Sequence, residues 1–124
     1  MSINSKYKNL NTVVINVLCN KNNIIISVTS NGNCILSKSA GTKFRGNQKT
    51  TPFASQSIMQ DIVSLLKSDT KIESVLLVFR GKNLSILKES TIKPLISENL
   101  TIKSIAIDQN LPHGGCRPKK RRRI

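Results

Sequence analysis

The run Val13-Val-Ile-Asn-Val-Leu-Cys19 is rich in β-branched residues and is followed, after a polar break, by a second such run, Ile24-Ile-Ile-Ser-Val-Thr29. A shorter apolar run, Cys34-Ile-Leu36, comes after the dipeptide Asn31-Gly32. Asn and Gly both tolerate the positive φ angles of a type I′ turn, so this dipeptide between apolar runs is a strong hairpin signal. The three runs therefore predict an antiparallel meander.

The rest of the chain alternates between helical and strand patterns. A first helix is predicted to begin after Thr51, which can cap it, and to end near Ser68, because apolar residues recur at helical spacing between them. Phe53, in the first turn, is expected in the core. The remaining predicted elements are a strand at 72–79, a short helix at 90–99 with Pro94 in its opening turns, and a strand at 100–107.

This element order, βββαβαβ, predicts an α/β sandwich with a mixed sheet of five strands. The strand-forming runs are almost continuously apolar, so we expect both faces of the sheet to be covered, with helices above and below it. The length of 124 residues fits one domain. We expect a flexible N-terminal segment at 1–12, a single α/β domain at 13–110 and a basic tail at 111–124.

The positive charge is concentrated in two short segments. The chain has 20 Lys and Arg against 6 Asp and Glu, which gives a formal net charge of +14. Six of these cations lie within 117–123, and four more, Lys38, Lys43, Arg45 and Lys49, lie in a stretch without an acidic residue. Clustered Lys and Arg neutralise backbone phosphates and release condensed counterions, so this pattern predicts a nucleic-acid-binding protein.

The segment Ser39-Ala-Gly-Thr-Lys-Phe-Arg-Gly-Asn-Gln-Lys-Thr-Thr-Pro52 has features that suit phosphate. Gly41 and Gly46 allow backbone N–H groups to approach a ligand closely, and the start of the following helix favours anions. Phe44 either stacks on an unpaired base or anchors the segment to the domain. The tail at 111–124 has too few apolar residues to fold alone and is expected to become ordered on a partner.

Other classes of protein fit the sequence less well. No run approaches the roughly 18 apolar residues of a membrane span, and the N-terminus lacks a secretory signal, so we expect neither membrane insertion nor secretion. Three cysteines without a C-x-x-C pair support neither a disulfide framework nor a zinc site. The six acidic residues are too dispersed for two-metal phosphodiester cleavage. We therefore expect no catalytic residue, metal or cofactor.

A nucleotide-binding P-loop is the main alternative. The segment Gly41-Thr-Lys-Phe-Arg-Gly46 lies between a predicted strand and a predicted helix, as such a loop does. The spacing differs, because a P-loop has Lys directly after its second Gly, whereas Asn47 and Gln48 precede Lys49. A further alternative is a generic basic protein whose tail addresses a nucleus or an acidic membrane.

Several motifs together resemble one known family. They are Phe44-Arg-Gly46 with Lys49-Thr-Thr-Pro-Phe-Ala-Ser-Gln56, Glu89-Ser-Thr-Ile-Lys93, and Pro112-His-Gly-Gly-Cys-Arg-Pro-Lys-Lys-Arg-Arg-Arg123. This combination closely resembles the family of small-subunit ribosomal protein eleven, and the likeness begins near Val13. FRG followed by KxTPFAxQ is specific, and the terminal PHxGCRPxKxRR strengthens the resemblance.

The resemblance implies a ribonuclease H-like three-layer α/β sandwich without nuclease carboxylates, and a structural, non-enzymatic role in the small ribosomal subunit. It also implies binding to rRNA of the platform, beside the mRNA exit region and near ribosomal proteins six, seven and eighteen. Motif matches and the basic segment together give the expected RNA contacts: Lys38, Lys43, Phe44, Arg45, Gly46, Lys49, Thr51, His113, Arg117, Lys119, Lys120, Arg121, Arg122 and Arg123.

Two segments depart from the family pattern. The family's GPGxGRE turn is replaced by Arg80-Gly-Lys-Asn-Leu-Ser-Ile-Leu-Lys-Glu89, and its His-Asn-Gly by His113-Gly114-Gly115. We therefore do not carry over the RNA contact of the first turn or an Asn contact in the second. The excess of Lys over Arg and the abundance of Asn and Ile indicate an AT-rich genome. Together with the altered turn and the lack of a presequence, they favour a mitochondrial ribosome over a plastid or bacterial one.

Overall fold

The computed structural model describes residues 12–30, 32–69, 72–81, 84–108 and 113–124. Its elements follow the predicted order βββαβαβ, and two short 3₁₀ helices, Ala40–Thr42 and Gly46–Thr50, connect the third strand to the first helix. The elements are β1 Thr12–Cys19, β2 Ile24–Ser30, β3 Asn33–Ser39, α1 Pro52–Asp69, β4 Ser74–Gly81, α2 Leu84–Ser97 and β5 Thr101–Asp108.

The five strands form one mixed sheet in the order β3-β2-β1-β4-β5. β1, β2 and β3 pair antiparallel as the predicted meander, whereas β4 pairs parallel with both β1 and β5. Gly32 in the β2–β3 connection has a φ angle of 82°, the left-handed conformation for which Gly is suited. Asn31, the other residue of the predicted turn, lies outside the described residues. The predicted α/β class and mixed sheet are confirmed.

Both helices lie on one face of the sheet. α1 contacts β2 and β3, α2 contacts β4 and β5, and the two helices contact each other. Crossovers between parallel strands are right-handed. The two crossovers here, β3–α1–β4 and β4–α2–β5, advance in the same direction along the sheet. Both therefore place their helix on the same side of it. Within the described residues the predicted three-layer sandwich is therefore corrected to two layers, with an open second face.

The core lies between the helices and the covered face. β1 and β2 alternate between buried and half-buried residues. Ile15 and Val17 of β1, Phe79 of β4, Ile62 of α1 and Leu95 of α2 belong to a single buried cluster. The continuous apolar runs therefore bury only every second side chain fully, and the others stay half-buried on the open face.

Helix α2 begins at Leu84, whereas the sequence predicts a start at Ser90. Pro94 consequently lies inside the helix and not in its opening turns. Most of the segment 80–89, interpreted from the sequence as an altered turn, is thus helical; residues 82 and 83 lie outside the described residues. The change from strand to helix begins at Gly81, whose φ angle is 106° and where a Cβ atom would collide with the carbonyl oxygen of Cys19.

Candidate nucleic-acid interface

The basic loop comprises residues 40–51 and is folded as the two 3₁₀ helices that precede α1. The backbone N–H of Phe44 donates to the carbonyl of Ala40 at 2.9 Å, and that of Gln48 donates to the carbonyl of Arg45 at 3.3 Å. Gly46 has a φ angle of 61°, which glycine adopts without strain. These local hydrogen bonds give the loop a defined path between β3 and α1.

Two lysines lie within ion-pair distance of one carboxylate on α1, that of Asp61. The ammonium group of Lys43 forms a close ion pair with Asp61, and Nζ of Lys38, on β3, lies 4.0 Å from the same carboxylate. All three side chains remain partly exposed, so each pair contributes little to stability, of the order of 0–1 kcal/mol. Asp61 was missed by the sequence predictions, although it is the first acidic residue of the chain and lies on the helix after the loop.

Phe44 anchors the loop to the domain. Its half-buried ring packs against the buried cluster and meets Phe53 edge-to-face, with ring centroids 5.9 Å apart and planes at 84°. Of the two roles that the sequence leaves open for Phe44, the structure shows the anchor. Phe53 is 69% exposed, so the prediction that it belongs to the core is wrong.

Thr51 caps α1, as the sequence predicts. Its hydroxyl oxygen accepts a hydrogen bond from the backbone N–H of Ala54 at 3.3 Å and its proton is donated to the carbonyl of Gln48 at 2.8 Å. An N-cap of this kind satisfies one of the free N–H groups at a helix start. Thr51 therefore fixes the junction between the loop and the helix.

The other predicted contact residues form two groups. In the loop, Arg45 and Gly46 are exposed and Lys49 is half-buried. The tail at 113–124 is exposed throughout and has no regular secondary structure. Of the hydrogen bonds and ion pairs found among the described residues, none joins the tail to the loop. The cations of β3, the loop and the tail are all exposed or half-buried, and His113 is exposed as well: Lys38, Lys43, Arg45, Lys49, Arg117, Lys119, Lys120, Arg121, Arg122 and Arg123.

The described part of the chain contains no cluster of three or more His, Cys, Asp or Glu side chains that could hold a metal ion. Neither helix, among the residues the structure covers, is long and apolar enough to cross a membrane. The region also differs from a P-loop, because Gly41 lies in a 3₁₀ helix and Lys43 is paired with Asp61. The charged side chains that the loop exposes to solvent are those of Lys43 and Arg45.

These features define a small α/β protein with exposed cationic segments, and comparison with known proteins gives its family. The family model described as Ribosomal protein S11 matches residues 13–123. The small ribosomal subunit protein uS11 of Methylibium petroleiphilum is 34% identical over 119 residues, which cover 94% of this chain and 87% of the relative. That of Bradyrhizobium diazoefficiens is 35% identical over 119 residues, covering 94% and 90%. The chain therefore belongs to the ribosomal protein S11 family.

Family membership establishes a structural, non-enzymatic component of the small ribosomal subunit. The resemblance found in the FRG, KxTPFAxQ and tail motifs is thereby confirmed, and so is the prediction that the chain is not an enzyme. Neither the comparisons nor the geometry of the loop favours the P-loop alternative.

Proposed function

We propose that the chain binds small-subunit rRNA through two contacts. One is the basic loop together with Lys38, and the other is the tail. The observation that carries this proposal is the exposure of the cations: Lys43, Arg45 and all residues of the 113–124 segment are exposed. Lys and Arg contacts to phosphate position a protein on RNA without reading its sequence. The function is thus to hold rRNA segments in a fixed arrangement.

The loop residues have different parts in this proposal. Arg45 and Lys49 contact phosphate, and Lys38 and Lys43 contact it from beside Asp61. Gly46 allows close approach of RNA to the backbone, because it has no Cβ and, apart from its chain neighbours, no described atom lies within 4 Å of the position that a Cβ would take. Phe44 and Thr51, whose ring and hydroxyl already have partners in the domain, keep the loop in position.

The tail contributes the larger electrostatic part. We propose that 13–110 forms the single folded domain and that the tail at 111–124 is extended between RNA segments. The predicted flexible segment at 1–12 lies outside the described residues except for Thr12, which begins β1. Six cations at 117–123, with Pro118 among them, suit a narrow, phosphate-lined passage. His113, with Gly114 and Gly115, forms the turn that directs the tail towards RNA.

The test is the salt dependence of binding between the full chain and an rRNA fragment of the small-subunit platform. Deletion of residues 117–124 removes six cations, so we expect the slope of log affinity against log salt to become shallower by about four to five units. Replacement of Lys67 and Lys103, exposed cations outside both segments, is the control and changes the slope by at most about two units. An unchanged slope after the deletion would contradict the role of the tail.

The position within the subunit is a second part of the proposal. Family resemblance supports a place on the platform beside the mRNA exit region, with ribosomal proteins six, seven and eighteen as neighbours. The open sheet face supports a protein contact, because Val14, Leu18, Ile25 and Leu76 are half-buried apolar residues there. Cross-linking with mass spectrometry on purified small subunits tests it. Links only to proteins other than these three would contradict it.

The compartment is the third part. We propose a mitochondrial ribosome, because the composition is that of an AT-rich genome; the relatives named above are bacterial, and a plastid or bacterial ribosome is the alternative. Mass analysis of ribosomes purified from mitochondria is expected to find this chain. Its presence only in ribosomes from another compartment would contradict the proposal.

A further inference from the structure

The N-terminus of α1 presents a large aromatic side chain to solvent. Phe53 is 69% exposed, although the chain has only three Phe, one Tyr and no Trp. It lies on the outer face of α1 with Ser57, Gln60 and Ser64, away from the core. Burial in the core therefore does not account for the aromatic ring at this position.

Among the described residues, one aromatic ring, that of Phe44, contacts the ring of Phe53. Phe44 meets it edge-to-face, at 84° between the planes, and is itself packed against the core. Edge-to-face pairs contribute about 0.5–1.5 kcal/mol beyond their buried area, enough to favour one ring orientation. The side chain is therefore oriented although mostly exposed.

The charge around Phe53 indicates what it binds. Lys49 lies in the last turn of the 3₁₀ helix that contacts α1, Arg45 precedes that helix, and the first turn of α1 has no acidic residue. Single-stranded nucleic acids are bound by aromatic rings on which bases stack, within a groove of cations that follow the phosphates. An apolar protein partner would have to bury the ring beside these cations, which disfavours it.

We propose that Phe53 is a stacking platform for an unpaired base of the RNA held by the basic loop, with Phe44 fixing the ring and Arg45 and Lys49 contacting the flanking phosphates. The inference rests on the proposed RNA-binding function and names one further binding residue and the chemical class of its ligand. Every base has a π-face, so the platform does not require a particular sequence.

The test uses the full chain and two probes of equal length, a 12-nucleotide oligoadenylate and an abasic oligomer with the same number of phosphates. Phe53→Leu keeps an apolar side chain but removes the π-face. We expect it to weaken oligoadenylate binding about 5- to 100-fold and to leave binding of the abasic oligomer unchanged. Ile96→Ala, at a 61% exposed residue on α2, is the control and changes neither.

A second variant reports stacking directly. Because the chain has no Trp, Phe53→Trp introduces a single indole, whose fluorescence we expect oligoadenylate to quench and the abasic oligomer to leave unchanged. Equal binding of oligoadenylate by Phe53→Leu and the unmodified chain, or equal quenching by both probes, would overturn the platform while leaving phosphate binding intact. Binding of the platform rRNA fragment but of neither probe would overturn the platform alone, whereas binding of none of the three would overturn the proposed function and the platform with it.

Discussion

Asp61 holds two cations that are otherwise available to RNA. Its carboxylate pairs closely with Lys43 and lies 4.0 Å from Nζ of Lys38. An RNA phosphate that approaches the loop has to compete with this carboxylate for both ammonium groups. In the proposed binding mode Asp61 therefore limits the contribution of the loop to RNA affinity, and in the free protein it pairs Lys43 with α1.

Replacing Asp61 with Asn removes this competition while conserving the size of the side chain. We expect the affinity for a platform rRNA fragment to rise several-fold at low salt, and the log–log salt slope to become steeper by up to about one to two units, because Lys38 and Lys43 then contact phosphate without competition from the carboxylate. Salt-dependent binding measurements provide the check.

Asp108→Asn is the matched control for this prediction. It makes the same change in net charge but breaks the ion pair with Arg80, 3.0 Å away, at the ends of β4 and β5. We expect its slope to stay near that of the unmodified chain. Equal effects of the two substitutions would show that only net charge matters, contrary to a local role for Asp61.

At the scale of elements, the start of α1 connects the fold to the basic loop. The capping hydroxyl of Thr51 bonds to both the helix and the preceding 3₁₀ helix. The loop and the helix are thus parts of one hydrogen-bonded junction, with Lys49 before it and Phe53 after it in the chain.

Thr51→Ala is expected to lower the free energy of unfolding by about 1 kcal/mol, because the N–H of Ala54 loses its acceptor. Thr51→Ser keeps the hydroxyl and is expected to restore most of this stability. Urea unfolding followed by circular dichroism measures both. A Thr51→Ala protein as stable as the unmodified chain would contradict the cap.

The sequence predicts the order of the elements and much of the first helix because these depend on local patterns. The Asn-Gly turn, the Thr-Pro helix start and the apolar periodicity all act within a few residues. The start of α2 was missed although Leu87, Thr91 and Leu95, all buried, follow helical spacing. The signal is weak because Pro94 suggests a helix start nearby, whereas α2 begins at Leu84 and contains Pro94 in its interior.

The exposure of Phe53 and the single covered face of the sheet cannot be predicted from the local content of apolar residues alone. Phe53 repeats with Ser57, Gln60 and Ser64, so the helical period itself places it on the polar face, and its hydrophobicity alone was misleading. The single covered face depends on the strand order, because the common direction of the two crossovers is set only once β4 and β5 are placed beyond β1.

At the scale of the whole molecule, three cysteines differ in their environment. Cys19 is buried at the end of β1, and burial raises the pKa of its thiol from the ordinary 9.0 to about 11. Cys34 and Cys116 are exposed. Only the last two are therefore accessible to a thiol reagent in the folded protein.

We expect iodoacetamide at pH 8 to modify Cys34 and Cys116 rapidly and Cys19 only when the core opens, which makes Cys19 a probe of unfolding. Because its pKa is raised in the folded state, its contribution to stability is full below pH 9.0 and is lost as the pH rises towards about 11. Peptide mass mapping over time provides the measurement. Modification of all three cysteines at equal rates would contradict the buried position.

The open face of the sheet has a consequence for how the protein behaves before it is assembled. A net charge of +14 keeps free copies apart through mutual repulsion at low ionic strength. At 1 M salt the Debye length falls to about 3 Å, so the repulsion is screened. The half-buried apolar residues of the open face, Val14, Leu18, Ile25 and Leu76, can then bring free copies together. High salt weakens binding to RNA and also removes the repulsion that keeps free copies apart. We therefore expect the free protein to aggregate at high salt and the RNA-bound protein to stay in solution.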